Sequence, residues 1–312
     1  MNIFDKIKSE RKAPVHILHG TDWWTDCDDV AALRLLCRAH KAGIIKLECV
    51  GIDAVMEYSA PSVSAFLTSE GLGNIPVGVD FDAQYDGSRC RYQQVLAQYP
   101  KRINSNSECE PAYKVYRRAL ANAECKCDIT EVGFPQIIMQ LMKSPADEIS
   151  PLTGMELVKE KVNKLWLMAG KWDKMPGREY NLTAYPVACE AGNYICKNSP
   201  VPVTFLGWEI GADVVTGTHL PENDLVNAAF KANGCKCGRF SWDPMLVLAA
   251  IINDEAAADY DTVCGTASVD EKTGDNDFTE TENGTHAYLV QRLENEEYAA
   301  VIDELLEYEK IY

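Results

Sequence analysis

Four aspartates lie close together near the beginning of the sequence. Asp22, Asp26, Asp28 and Asp29 all fall within residues 22–29. Carboxylates crowded in this way raise the free-energy cost of ionising one another. A divalent cation removes that cost, and a site whose ligands are all oxygen atoms favours a hard ion such as calcium or magnesium. The spacing therefore predicts a metal site in this part of the chain.

The segments on either side indicate how the aspartates are held. Apolar residues at positions 15–18 predict a buried strand, and a helical apolar pattern begins at Val30. Aspartate is also common at the N-cap and in the first turn of a helix, so capping alone could explain three of the four. It leaves Asp22 unexplained. A calcium-binding helix–loop–helix does not fit, because its loop needs glycine and glutamate where Cys27 and Leu33 stand.

Predicted strands and helices then alternate along the chain. Strands are predicted at residues 15–18, 45–55, 75–79, 129–132, 164–169 and 201–206, and helices at residues 62–72, 88–99, 112–121, 135–142, 154–161, 185–196, 222–231 and 243–252. Residues 254–289 predict short strands and loops near a sheet edge, and a helix at 296–307 closes the chain. The alternation favours an α/β fold, doubly wound, with a mostly parallel central sheet and helices on both faces. We expect a single domain over residues 1–312.

Charge and apolar content restrict the possible partners. The net charge of −17 argues against a nucleic-acid polymer as ligand, because cationic side chains supply most of that affinity. It does not forbid a small neutral substrate. No apolar run approaches the roughly 20 residues that a membrane helix needs, and residues 1–14 lack the apolar core of a signal peptide. We therefore expect a cytoplasmic protein that does not act at a membrane.

The cysteine content is high, at twelve residues, and without a secretion signal these are best explained as reduced thiols. Two Cys-x-Cys pairs, Cys125 with Cys127 and Cys235 with Cys237, could together form a four-thiolate zinc site. The usual zinc spacing is wider, and these cysteines also suit ordinary strand and turn positions.

The acidic segment resembles a signature of the nucleoside hydrolases, the inosine–uridine-preferring ribohydrolase family. The first strand of that family ends in DTDPGxDDA or in the longer DTDIGTDxDDA, and residues 20–30 here read GTDWWTDCDDV. The sequence matches the longer form at Thr21, Asp22, Thr25, Asp26, Asp28 and Asp29. It departs from the family at Gly20, where an aspartate is usual, and at Trp23 and Trp24.

Two further motifs resemble the calcium-binding half of the family site. Residues 133–136 read GFPQ where the family has GPLT, which places Gln136 at the threonine whose backbone carbonyl binds calcium. Asp243, in the run Trp242-Asp243-Pro244, matches the aspartate of the family's HDP, which completes the calcium site. A helix N-cap followed by proline at the first helical position is the alternative explanation of Asp243.

Other positions resemble the half of the family site that binds the sugar and the base. Glu179 and Asn181 match the family's E-F-N, whose side chains bind ribose hydroxyls, and spacing by two would put both on one face of an extended segment. A solvated loop is the alternative for this pair. Tyr58 stands where the family has a ribose-contacting asparagine, or it is a half-buried aromatic at a strand end. Trp242 replaces the histidine thought to protonate purine leaving groups.

The resemblance implies a calcium-dependent hydrolase that cleaves the N-glycosidic bond of a ribonucleoside or related ribosyl compound, giving ribose and free base. It implies that calcium is held by Asp22, Asp29, the Gln136 carbonyl and Asp243, and that Asp22 is the catalytic base. It implies substrate contacts from Asp28, Tyr58, Glu179, Asn181 and Trp242. A homo-oligomer, dimer or tetramer, is also implied. The alternative is a catalytically impaired protein that binds calcium or a ribosyl ligand on the same fold.

Overall fold

The computed structural model describes residues 3–83 and 90–307. The strands are β1 (Val15–Thr21), β2 (Ile45–Ile52), β3 (Val77–Val79), β4 (Glu110–Pro111), β5 (Cys127–Glu131), β6 (Val162–Met168), β7 (Val203–Leu206), β8 (Val215–Thr216), β9 (Arg239–Phe240), β10 (Tyr260–Val269), β11 (Asn276–Glu280) and β12 (His286–Gln291). The helices are α1 (Ile3–Glu10), α2 (Asp28–Lys41), α3 (Ser59–Ser69), α4 (Arg91–Leu96), α5 (Ala112–Asn122), α6 (Gln136–Lys143), α7 (Gly154–Lys161), α8 (Tyr180–Thr183), α9 (Pro186–Asn198), α10 (Trp208–Gly211), α11 (Leu225–Ala232), α12 (Trp242–Ile252) and α13 (Asn295–Glu307).

Ten of these strands form one sheet in the order β4-β3-β2-β1-β5-β6-β7-β12-β10-β11. Neighbouring strands from β4 to β12 are parallel, whereas β10 runs antiparallel to both β12 and β11. Strands β8 and β9 form a separate antiparallel pair. The predicted, mostly parallel central sheet is confirmed.

Hydrophobic cores lie on both faces of this sheet. Consecutive strand residues point to opposite faces, so Ile17 of β1 packs in one core and Leu18 in the other. The first core includes side chains from α2, α3, α11, α12 and α13, and the second includes side chains from α5, α6, α7 and α9. The prediction of helices on both faces is therefore also confirmed.

Several element boundaries differ from the predicted ones. Strand β1 continues to Thr21, three residues beyond the apolar run, because its last residues are still paired with β2. Helix α1 was not predicted, since four of its eight residues are charged. The helix predicted at 88–99 is α4, which is shorter, and positions 88 and 89 lie outside the described residues. In the described ranges, no helix combines the length and apolar character that a membrane crossing requires.

The parallel pairing decides where the candidate site residues meet. Strands β1, β5 and β6 are adjacent and parallel, so their carboxyl ends lie at the same edge of the sheet. Ligands of open α/β sheets bind beyond this edge. The segments that follow Thr21, Glu131 and Met168 therefore converge, and the N-terminus of α12 joins them through a backbone contact from Asp243 to Asp28.

Candidate active site

A cavity of about 280 Å³ opens at the carboxyl edge of the sheet. This volume is near the lower end of the range for small-molecule sites, about 300–1,000 Å³. Its lining residues are Asp22, Thr25, Asp26, Asp28, Asp29, Val132, Met168, Glu179, Tyr180, Asn181, Trp208, Trp242 and Asp243. Seven of the nine predicted site residues are in this set, and Tyr58 and Gln136 are not.

Three buried carboxylates converge in the cavity. Asp28, Asp29 and Asp243 each offer an oxygen atom, and these atoms lie within 4.8 Å of one another. The backbone N–H of Asp243 donates to Oδ2 of Asp28 across 3.1 Å, which fixes α12 against the start of α2. These three residues could hold a metal ion.

Asp22 lies on the same wall and is held by its own loop. Its Oδ1 accepts the backbone N–H of Trp24 at 2.8 Å, and its Oδ2 accepts the hydroxyl of Thr25 at 3.3 Å. These bonds orient the carboxylate, and Asp22 is only 4% exposed. The two predicted roles of Asp22, metal ligand and catalytic base, both require a carboxylate that lines the cavity.

The two tryptophans of the acidic loop are buried in the core and do not line the cavity. Trp23 has a left-handed backbone conformation, with φ of 50°, and its backbone N–H donates to Oδ1 of Asp29 at 3.1 Å. Its indole Nε1 donates to Ser62 at 2.9 Å. Trp24 stacks on Tyr185 with ring centroids 6.2 Å apart. These contacts anchor the acidic loop in the core.

The carboxylates are crowded enough to resist ionisation. Burial, followed by repulsion from neighbouring carboxylates, raises the pKa values of Asp22, Asp28 and Asp243. Burial also raises the pKa of Asp29, to about 7, although hydrogen bonds from Thr21 and from the Trp23 backbone oppose it. A bound cation would offset these costs, and an all-oxygen ligand set fits a hard divalent ion.

Helix capping does not explain these aspartates. The N-cap of α2 is Cys27, and the N-cap of α12 is Ser241; neither side chain accepts a capping hydrogen bond. Asp28 and Asp243 lie in the first turns that follow, with their side chains in the cavity. Asp28 and Asp243 are therefore not N-caps, although both occupy first-turn positions, where a negative charge complements the helix dipole.

Asp26 has a separate partner. It forms an ion pair with Arg239, whose Nε donates to Oδ1 of Asp26 at 2.6 Å. The Arg239 guanidinium in turn lies 5.4 Å from the ring centre of Trp242. Asp26 therefore links the acidic loop to the segment that carries Trp242, and its charge is already balanced by a cation.

Glu179 and Asn181 also line the cavity. Glu179 is the N-cap of α8, and its carboxylate accepts backbone N–H groups from Asn181 at 2.5 Å, Gly170 at 3.0 Å and Leu182 at 3.1 Å. Burial raises the pKa of Glu179 to about 7. The prediction of an extended segment was wrong here, because capping by Glu179 starts a short helix. Both side chains nevertheless reach the cavity.

Asn181 joins the ends of two strands. Its Nδ2 donates to the carbonyl of Val132, which follows β5, and to the carbonyl of Met168 in β6, at 3.0 Å each. With both amide hydrogens used in this way, the orientation of the side chain is fixed. The carbonyl oxygen of the Asn181 amide remains as its acceptor.

Aromatic side chains cover the outer part of the cavity. Trp242 and Trp208 are stacked, with ring centroids 6.4 Å apart, and Nε1 of Trp242 donates to the Trp208 carbonyl at 2.6 Å. Trp208 and Tyr180 are each 43% exposed. Sequence reasoning missed both. The available signals were the position of Tyr180 between the two matched residues of the E-x-N motif, and the position of Trp208 just beyond the end of β7.

Tyr58 and Gln136 are not brought to the cavity wall. Tyr58 is half-buried at the N-cap of α3. Gln136 begins α6, is fully buried, and donates its Nε2 to the carbonyl of Asp53 at 2.7 Å. Val132 lines the cavity from the same strand end as Gln136.

Gly20 is explained by a neighbour that the sequence did not reveal. Gly20 of β1 is paired in register with Glu131 of β5. A Cβ atom on Gly20 would lie 2.5 Å from the carboxyl carbon of Glu131. The Glu131 carboxyl group therefore occupies the space in which a side chain at position 20 would stand.

Glu131 is part of a buried acid pair beneath the cavity. Its carboxyl group is hydrogen-bonded to that of Asp53, whose Oδ1 also accepts the Phe134 backbone N–H at 2.8 Å. Burial raises the pKa of Glu131 to about 8, and burial followed by the charge of Glu131 raises the pKa of Asp53. Burial of the pair therefore favours the protonated form of both carboxyl groups.

The zinc alternative is not supported by the positions of the cysteines. Cys127 begins β5, so it lies at the edge of the sheet opposite to the cavity. Cys235 lies near Cys27, with their Sγ atoms 4.0 Å apart. Across the described ranges, Asp28, Asp29 and Asp243 are the one set of three or more acidic, histidine or cysteine residues whose ligand atoms converge.

No known family model matches the sequence. No curated protein matches it either. Solved structures do resemble it in fold. An inosine–guanosine nucleoside hydrolase has a TM-score of 0.65 and 16% identity, over 95% of this chain and 99% of that chain. A purine-preferring ribonucleoside hydrolase from Gardnerella vaginalis has a TM-score of 0.64 and 16% identity, over 94% and 99%.

A third similar structure is that of a type III effector protein. The type III effector protein XopQ, complexed with adenosine diphosphate ribose, has a TM-score of 0.67 and 13% identity, over 97% of this chain and 98% of that chain. The protein thus has the nucleoside hydrolase fold over nearly its whole length, as the resemblance implied.

Proposed function

We propose that the protein is a divergent nucleoside hydrolase, a calcium-dependent enzyme that cleaves the N-glycosidic bond of a ribonucleoside or related ribosyl compound. The observation that supports this most is the convergence of buried carboxylates in the cavity that Glu179 and Asn181 also line, at the ligand-binding edge of this fold. The residues proposed to bind the metal and those proposed to bind the sugar would then share one cavity.

The proposed calcium ligands are Asp22, Asp29 and Asp243, which line the cavity, whereas Gln136, whose carbonyl was the fourth predicted ligand, does not line it. Asp28 is one of the three carboxylates whose oxygen atoms lie within 4.8 Å of one another, so it can act between the cation and the sugar. Bound calcium would neutralise the carboxylates and make a nearby water more acidic. Because these carboxylates are buried and repel one another, an acidic pocket that holds a cation is favoured over an empty one.

Side chains of the protein would supply the general base and the contacts with the sugar. The carboxylate of Asp22 would accept the proton of the attacking water, since it is oriented by two hydrogen bonds and lines the cavity. Asp28 would accept a hydrogen bond from a ribose hydroxyl, and Glu179 and Asn181 would hold the other end of the sugar. Positive charge that develops on the ribosyl ring would be stabilised by the surrounding carboxylates.

The base would lie against Trp242 and Trp208. The stacked pair, in which Trp208 is 43% exposed, provides a flat apolar surface for an aromatic ring. Within the described ranges no histidine lines the cavity, and the Trp242 N–H is already donated to the Trp208 carbonyl. An N-ribosyl pyridinium would therefore suit this site, because its base is positively charged in the substrate and leaves without receiving a proton.

A binding protein without turnover is the rival function. It is favoured by Trp242, which stands where the family has its leaving-group histidine, and it would keep metal affinity and ligand-induced stabilisation. Thermal shifts on adding calcium and nucleoside cannot separate the two functions, because both predict stabilisation. Release of free ribose separates them.

The test is a ribose-release assay on purine nucleosides, pyrimidine nucleosides and an N-ribosyl pyridinium, with calcium present. We expect wild type to release ribose from at least one compound, and Asp22→Asn to be slower by a factor of about 10² or more, the usual contribution of a general base. Asp261→Asn, at an exposed position on β10, is the matched control. Stabilisation by nucleosides without any ribose release would favour the rival.

The remaining proposals concern the context of the enzyme. We propose that residues 1–312 form one domain, which agrees with a single ten-stranded sheet that extends from β4 to β11. We also propose a cytoplasmic location and a homo-oligomer, dimer or tetramer, and a small ribosyl substrate in place of a nucleic-acid polymer. Light scattering on the purified full-length protein would measure the oligomeric state.

A further inference from the structure

Two thiols from distant parts of the chain face each other beside the cavity. The Sγ atoms of Cys27 and Cys235 are 4.0 Å apart, although the residues are 208 positions apart in the sequence. Cys27 is fully buried at the N-cap of α2, directly before Asp28. Cys235 follows α11 and is partly exposed. A small reagent in solvent can therefore reach Cys235, with Cys27 immediately behind it.

The surroundings make Cys235 the reactive member of the pair. A hydrogen bond from the Cys27 thiol, together with the positive charge of Arg239, lowers the pKa of Cys235 to about 6, against the effect of burial. The thiolate is the nucleophilic form of cysteine. A nucleophilic sulfur and a second sulfur in contact with it form the usual arrangement of a redox-sensitive pair.

We propose that Cys27 and Cys235 are a redox modification site, which a hydroperoxide converts reversibly into a disulfide. In the first step the Cys235 sulfur attacks the peroxide: an S–O bond forms, the O–O bond breaks, and the leaving oxygen takes a proton as an alcohol or water. In the second step the Cys27 sulfur attacks the sulfur of the Cys235 sulfenic acid: the S–S bond forms, the S–O bond breaks, and the departing hydroxyl takes the thiol proton of Cys27 and leaves as water. Two thiols lose two electrons, and the peroxide gains them.

Formation of the disulfide requires the two sulfurs to move closer, and the turn that carries Cys235 can make this movement. The two sulfurs must approach from 4.0 Å to about 2.05 Å. Gly234 and Gly238 flank the turn with φ of 88° and 82°, and there is open space around the Cβ position of Gly234. Cys27 is fixed in the core, so the turn would move toward it. The disulfide would tie the acidic loop to the segment that leads to Arg239.

The experiment uses the reduced full-length protein, treated with equimolar hydrogen peroxide and digested without reductant. We expect mass spectrometry to find one peptide pair that joins Cys27 to Cys235, and dithiothreitol to remove it. Cys237→Ser, two residues away, should form the same pair. Cys235→Ser, at a partly exposed position, should leave Cys27 reduced while its circular dichroism matches wild type.

Three outcomes would overturn the proposal: Cys27 that stays reduced in wild type, a disulfide between Cys235 and Cys237, or oxidation of Cys27 that is unaffected by Cys235→Ser. The readout is a covalent bond, so it does not depend on whether the protein hydrolyses nucleosides. Failure of the hydrolase proposal and failure of this one are therefore separate results.

Discussion

The carboxyl group of Glu131 occupies the space beside Gly20, where a Cβ atom would lie 2.5 Å from the carboxyl carbon. The nucleoside hydrolase signature usually has an aspartate at the position of Gly20. Here a buried acid is still present at this level of the sheet, but it comes from the neighbouring strand. The two positions are therefore expected to be energetically coupled.

The coupling predicts the effect of filling the space. Gly20→Ala should lower the free energy of unfolding by about 1–3 kcal/mol, the usual cost of overpacking a core. In a Glu131→Ala background the same substitution should cost less, with a coupling energy on the order of 1 kcal/mol. Urea unfolding of the four proteins in this cycle measures the effect. Equal costs of Gly20→Ala in both backgrounds would show that the contact is absent.

The buried acid pair predicts how stability depends on pH. The pKa of Glu131 is raised from its ordinary 4.5 to about 8 in the folded protein. Between these values the unfolded chain loses a proton that the folded protein keeps, so the free energy of unfolding should fall as the pH rises from about 4.5 to 8. Below 4.5 both states are protonated, and the contribution is constant.

Glu131→Gln should make this decrease shallower, by up to about 1.4 kcal/mol per pH unit for one proton. Glu282→Gln, at an exposed loop position, is the matched control and should leave the slope unchanged. Unfolding curves measured from pH 4 to 9 in metal-free buffer provide the comparison. A slope that Glu131→Gln does not alter would contradict the raised pKa of Glu131.

The crowded carboxylates predict opposite effects of one substitution with and without metal. Asp243→Asn removes a charge that Asp28 and Asp29 repel, so the metal-free variant should be at least as stable as wild type. With calcium, wild type should gain stability and the variant should gain much less, because one ligand is lost. Thermal unfolding with and without calcium measures both effects. A metal-free variant that is clearly less stable would show that Asp243 has a structural function instead.

The exposed tryptophan predicts a contribution to affinity that is specific to the base. Base–aromatic stacking contributes about 1–3 kcal/mol per base, so Trp208→Ala should weaken nucleoside binding by roughly tenfold or more. Binding of ribose alone should change less than twofold, since ribose has no base to stack. Calorimetric titration with both ligands measures the difference. An equal loss for ribose and nucleoside would place Trp208 outside the base site.

The sequence was most informative where the interactions are local. The order of strand, acidic loop and helix around residues 22–29 predicted carboxylates at one sheet edge, and the structure has this arrangement. Glu179 and Asn181 were also recognisable, because they match the short E-F-N pattern of the family that the sequence resembles, and both line the cavity. The mostly parallel sheet followed from the alternation of strands and helices, which is a property of neighbouring segments.

The sequence was least informative about partners that are far apart in the chain. Nothing near Gly20 indicates that Glu131 fills the space beside it, since the register of β1 and β5 is set by tertiary pairing. The contact of Cys27 with Cys235 arises in the same way, from the packing of the turn after α11 beside α2. The interior positions of Trp23 and Trp24 also required the folded chain, because a tryptophan suits either a core or a ligand surface.

The most direct test of the proposed site is a crystal structure of the protein grown with calcium and ribose. We predict one calcium ion between Asp22, Asp29 and Asp243, and sugar hydroxyls within hydrogen-bond distance of Asp28, Glu179 and Asn181. Calcium absent from these carboxylates, or ribose bound outside this cavity, would contradict the account.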